Sequence, residues 1–175
     1  MIVRVIILVI LSSLTIACGE RVGSIQETKS TTFYLIRHAE KDRSNPKDQN
    51  PNLTPNGLKR AKYWSSYFDT IPLNSVYTTD FNRTKQTILP VCNLKNITPE
   101  IYSPNNINIQ EFIKKNKGKN VLISGHSNTT PAMVNKLINK QEFDDMSDSD
   151  NKSLFVVKII NSDISFEVRS VPINQ

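Results

Sequence analysis

From residue 31 onward, short unbroken apolar runs alternate with longer segments in which apolar positions recur every three or four residues. Thr32-Phe33-Tyr34-Leu35-Ile36 is β-branched and aromatic with no helical spacing, so it reads as a buried strand with Arg37 and His38 at its carboxyl end. The Asp-, Asn-, Lys- and Pro-rich stretch from Glu40 to Pro55 reads as a loop. Thr54-Pro55 then has the signature of an N-cap followed by proline, and Leu58, Ala61, Tyr63, Trp64, Tyr67 and Phe68 give a helix over 55–69 its apolar face. Val76 to Thr79 predicts a second strand, after which Asp80 is expected to cap a helix with Arg83 in its first turn. Residues 97–102 can form only an edge strand, because Pro99 has no amide hydrogen to give a ladder. A helix over 108–117 precedes the clearest buried strand, which starts at Asn120 and ends at Ser124-Gly125-His126. Thr129-Thr130-Pro131 repeats the cap-and-proline signature and opens a helix to about Lys140. Leu154–Ile160 and Ile164–Val171, joined by Asn161-Ser162-Asp163, form the expected hairpin. Alternating strands and helices predict a three-layer α/β/α sandwich, with a mostly parallel sheet and an antiparallel C-terminal hairpin.

The amino terminus breaks this pattern. After Arg4, an apolar stretch from Val5 to Ile16 leads to Ala17-Cys18-Gly19, and its dozen residues fall short of the roughly 18 to 20 needed to span a bilayer. Residues 1–17 therefore read as a signal peptide. The small residue before Cys18 resembles a bacterial lipoprotein signal, with Thr15 standing where such signals usually carry Leu. On this reading Cys18 is the lipidated first residue of the mature chain, residues 18–30 are a polar tether, and 31–175 form one domain. The expected location is the bacterial cell envelope with a membrane anchor, the alternative being a secreted or periplasmic protein. Sequons at Asn82 and Asn128 lie within the motifs discussed below. Glycosylation there would block them, which favours a bacterial over a eukaryotic export route.

Composition narrows the classes further. Hydrophobic residues at 38% and charged residues at 22% exclude a disordered chain, and two cysteines exclude a disulfide scaffold. The formal charge of +6 suits anionic ligands, and the export signal argues against nucleic acid as a partner. Cys92 reads as a small core residue. The acidic run with Asp144, Asp145, Asp148 and Asp150 lacks the glycine and final glutamate of a calcium loop and reads as solvated. Lys114, Lys115, Lys117 and Lys119 read as a solvated helix end.

Ligands of open α/β sheets bind beyond the carboxyl ends of the strands, and the reading above brings Arg37, His38, Arg83 and His126 there. Guanidinium groups grip phosphate oxygens bidentately, helix N-termini add backbone donors, and imidazole is a nucleophile. Phosphate chemistry is the consequence. Four segments carry a family resemblance: Arg37-His38-Ala39-Glu40, Leu53-Thr54-Pro55-Asn56-Gly57, Val76 to Thr84 with Thr87, and Ser124-Gly125-His126-Ser127-Asn128-Thr129. In this order they resemble the histidine phosphatase superfamily, also called phosphoglycerate mutase-like, over about residues 32–160, and its short members similar to phosphohistidine phosphatases above all.

The resemblance implies that His38 is the nucleophile that becomes phosphohistidine and that Arg37, Arg83 and His126 hold the transferring phosphoryl group, with no metal and no cofactor. The implied activity is that of a phosphatase acting on a small phosphorylated substrate or a phosphoprotein. The sequence departs from the family at the general acid, since residues 103–109 contain no carboxylate and Ser127 follows His126. Glu40, Glu100 and Glu111 are weak candidates for that proton donor, Glu40 first among them. The missing acid motivates one alternative, a non-catalytic phosphate-binding module of the same fold; the other is a phosphoglycerate mutase-like phosphotransferase, against whose classical activity the missing acid argues.

Overall fold

The computed structural model describes residues 29–173, so the signal peptide, Cys18 and most of the expected tether lie outside the described residues. Four parallel strands form the centre and one side of a six-stranded sheet: β1 (Thr31–Arg37), β2 (Ser75–Thr78), β3 (Glu100–Ile101) and β4 (Asn120–Gly125). The hairpin of β5 (Ser153–Ile160) and β6 (Asp163–Ser170) completes it in the spatial order β3-β2-β4-β1-β5-β6. β5 runs antiparallel to β1, so the antiparallel margin begins next to the strand that carries the site.

Helices cover both faces. On one, α1 (Pro55–Tyr67) and α2 (Asn82–Lys95) bury Trp64, Phe68, Ile88 and Val91 against Ile36, Val76, Leu122 and Leu154. On the other, α3 (Ile109–Lys115) and α4 (Thr129–Ile138) pack Phe112, Met133 and Leu137 against Phe33, Leu35, Ile123 and Val157. Alternate residues of β1 thus enter opposite cores, as a sheet covered on both faces requires. Cys92 is buried in the first of these cores. Among the described residues no helix is long and apolar enough to cross a membrane.

Local signals explain most of the boundaries, and three differ from expectation. Thr54 caps α1 as predicted, accepting from the Gly57 amide, with Pro55 opening the helix. Asp80 does not cap α2. It pairs with Lys85 at 2.6 Å, and the capping position falls to Phe81, which makes no side-chain cap bond. Helix α4 begins two residues earlier than its proline suggested, because the Asn128 side chain accepts from Thr129 N and leaves Pro131 in the first turn. The edge strand shrinks to two residues, Glu100–Ile101. Asn96, Asn139 and Asn161, at φ 52°, 52° and 56°, end α2, end α4 and turn the hairpin in left-handed conformations that asparagine tolerates.

Candidate active site

Register places the site. Arg37 pairs with Gly125 and Thr78 with Ser124, so β1, β2 and β4 end in one row, and the His38 amide donates to Gly125 O at 2.9 Å. The next residue of each strand is therefore a site residue: His38, Thr79 and His126. Arg83 enters from the first turn of α2, and the four residues expected from the sequence meet at this edge.

The His38 ring is held by its neighbours. Nδ1 lies 2.7 Å from the carbonyl oxygen of Ala39, an acceptor that fixes the proton on Nδ1 and leaves the Nε2 lone pair free. Burial, reinforced by the charges of Arg37, His126 and Arg83, pushes the His38 pKa down to about 3, so the imidazole is neutral at pH 7. Asn151 donates to the His38 carbonyl at 2.7 Å, and the Ala39 amide donates to the Thr87 hydroxyl at 2.8 Å. That hydroxyl in turn donates to the Arg83 carbonyl at 2.6 Å. Thr87 therefore clips the segment that follows His38 to the turn that carries Arg83.

The second imidazole faces the first with ring centroids 5.5 Å apart. Its Nε2 lies 2.9 Å from the Thr79 hydroxyl, which lies 3.0 Å from that of Thr84. Thr84 has the carbonyls of Thr79 and Phe81 within 2.9 Å as acceptors for its single proton. The polarity of the chain follows: Thr84 donates to a carbonyl, Thr79 donates to Thr84, and His126 Nε2–H donates to Thr79. Burial and the charges of Arg83, Arg37 and Lys41 push the His126 pKa down to about 4.

Both arginines keep donors in reserve. Arg37, 2% exposed, gives Nη1 to Ser147 O and Asp150 O at 2.8 and 3.3 Å and Nη2 to Asp148 Oδ1 at 2.6 Å, while its buried Nε has no partner. The loop at 147–150 thus holds three of the five guanidinium donors and leaves the rest for a ligand. In Arg83 the buried Nε and Nη1 are unpartnered, and the guanidinium lies 4.3 Å from the Phe81 ring centroid. Burial and the Arg37 charge lower its pKa, the mark of a cation that lacks its anion. The unsatisfied guanidinium donors beside a neutral imidazole with a free lone pair are chemically suited to an anion such as a phosphoryl group.

The remaining carboxylates behave differently. Glu40 is bound by Arg60, whose Nε and Nη2 reach its oxygens at 2.8 to 3.0 Å, so its carboxylate anchors α1. Glu100 pairs with Lys115, and Glu111 accepts no side-chain partner near the histidines; neither lines the cavity beside His126. The carboxylate that does line it is Asp80, which the sequence assigned to a helix cap. The acidic stretch is more than a solvated loop, because the Asp148 carboxylate bridges Arg37 and Arg43 at 2.6 Å each. Asp148 and Asn151 were missed for one reason: 111 and 113 residues separate them from their partners, and no local pattern marks such contacts. Among the described residues, no group of three or more His, Cys, Asp or Glu side chains could hold a metal ion.

The family model of the histidine phosphatase superfamily (branch 1) matches residues 33–103, the stretch that supplies Arg37, His38 and Arg83. No curated protein matches the chain. Among solved structures, the protein histidine phosphatase SixA complexed with tungstate superposes with a TM-score of 0.62 at 16% identity, covering 79% of this chain and 96% of that one. A mycobacterial glucosyl-3-phosphoglycerate phosphatase gives 0.62 at 10% identity, covering 81% and 98%. A phosphoserine phosphatase variant from Entamoeba histolytica, in complex with phosphoserine, gives 0.60 at 10%, covering 78% and 94%. At these identities the structural likeness concerns the fold, and it covers 78 to 81% of the chain, well beyond the matched segment. The segment that matches the histidine phosphatase family model thus lies within a fold shared with these phosphatases.

Proposed function

We propose that the protein is a metal-independent phosphatase that hydrolyses a phosphorylated substrate through a phosphohistidine on His38. The observation that carries this reading is the His38 ring itself: a neutral imidazole with Nδ1 pinned to Ala39 O and a free Nε2, placed among the unsatisfied donors of Arg37 and Arg83. Nε2 attacks phosphorus, the P–O or P–N bond to the leaving group breaks with its proton taken from solvent, and the arginines meet the charge on the equatorial oxygens, joined by His126 once the bound dianion lets its Nδ1 take up a proton. Water then attacks the phosphohistidine and releases inorganic phosphate. The likeness to a protein histidine phosphatase supports a phosphoprotein as one class of substrate, and those to phosphatases of small metabolites support the other.

One observation favours the reading in which the fold binds phosphate without turnover: Glu40, the first candidate for the proton donor, is bound to Arg60. Steady-state release of phosphate from an aryl phosphate separates the two. The phosphatase reading expects turnover by the wild type and none by His38→Ala, with phosphate still bound by the variant. Binding without turnover in the wild type would contradict it, and transfer to an added phosphosugar acid in place of water would reveal a phosphotransferase.

We further propose that the domain works at the bacterial cell envelope, held to a membrane through a lipid on Cys18. The support is the leader itself, with its short apolar run ending at Ala17-Cys18-Gly19.

A further inference from the structure

We propose that the cavity beside His126 is the leaving-group pocket and that it selects phosphorylated substrates whose leaving group is aromatic and carries no negative charge. The inference rests on the phosphatase reading above. His126 and Thr79 border both the phosphoryl site and this cavity of about 560 Å³, a size typical of small-ligand pockets. Phe81, Ile101 and Tyr102 give it apolar walls suited to the face of a ring, and Asn105 and Asn128 add neutral hydrogen-bonding groups. The Tyr102 hydroxyl is shielded from solvent without a hydrogen-bond partner, and burial raises its pKa, so this wall of the cavity stays uncharged.

Charge decides the class. Among the described residues no lysine or arginine lines the cavity, and the one carboxylate on its lining is that of Asp80. Lys85, paired with Asp80, Lys136, whose Nζ donates to Pro104 O at 3.2 Å, and Arg83, 4.3 Å from the Phe81 ring centroid, stand just behind the lining, and Arg37, Lys41 and Arg43 also lie outside it. A second anionic group on the leaving group would therefore meet a carboxylate on the lining itself, with the nearest cations set behind the walls or already paired with Asp80. A neutral or cationic ring meets no such opposition.

Calorimetric titration of the full chain with methylphosphonate, phenylphosphonate, 4-carboxyphenylphosphonate and 4-(aminomethyl)phenylphosphonate tests this without requiring turnover. The phenyl compound is expected to bind about tenfold more tightly than the methyl one, through burial of the ring, and the carboxylated compound about tenfold more weakly than the phenyl one. The aminomethyl compound should match or exceed the phenyl one, and Asn105→Lys should restore affinity for the carboxylate. A phenyl compound no tighter than methyl, or a carboxylated one as tight as phenyl in the wild type, overturns the proposal. Phosphorylation of wild-type His38 by phosphoramidate, whose leaving group is ammonia, is measured alongside. Its absence would count against the phosphohistidine reading while leaving the order of phosphonate affinities to decide the nature of the pocket.

Discussion

The two histidines and Arg83 are each in a state that a folded protein would not adopt for stability alone. His38 and His126 have pKa values near 3 and 4 in place of the ordinary 6.5, so between those values the unfolded chain binds protons that the folded one refuses. The stability they permit is fully present above pH 6.5 and is lost as the pH falls toward 4 and then 3. Urea titrations from pH 7 to pH 4 should show that decline, and imidazole NMR signals of the free protein should show neither ring titrating between pH 5 and 8. A ring titrating near 6.5 would contradict the pinned, neutral nucleophile. Arg83 carries the same tension, with unpartnered buried nitrogens and the Arg37 charge nearby. Arg83→Met should raise the Tm of the phosphate-free protein and lower kcat by on the order of 10² to 10³, as removal of a preorganised donor does. A variant less stable than the wild type without phosphate would show that Arg83 is structural.

At the scale of elements, the motifs prove to be joints between segments. Leu53-Thr54-Pro55-Asn56-Gly57 shows why: the Thr54 amide donates to Glu40 O at 2.8 Å, its hydroxyl caps α1, and Gly57 lets the helix approach the segment that follows His38. A Cβ on Gly57 would stand 2.3 Å from the carbonyl oxygen of Glu40, a backbone atom that cannot swing aside. Gly57→Ala should therefore cost about 2 kcal/mol or more and reduce turnover more than a surface change of equal size, because the displaced segment carries the nucleophile. Normal stability and activity in that variant would contradict the joint. Such joints were legible where the signal is local: the cap before Pro55, the buried runs of β1 and β4, and the strand ends that deliver His38 and His126. The capping role of Asp80 was misjudged because Lys85, one turn onward, competes for its carboxylate. The loop at 147–150 was unreadable, since nothing in an exposed acidic run announces that its carbonyls will hold Arg37.

For the whole molecule, the domain and its leader make separate claims. Cys18→Ala in the full chain should move the protein from the membrane fraction to the soluble one, and unchanged mass and partitioning would contradict lipidation. The domain's claim is that one imidazole of two carries the phosphoryl group. Brief exposure of the wild type to radiolabelled phosphoramidate, followed by denaturation and peptide mapping, tests this most directly. The account predicts acid-labile, base-stable phosphate on His38, absent from His38→Ala and retained at reduced level in His126→Ala. Label on His126 or on a serine, or turnover that persists in His38→Ala, would contradict it.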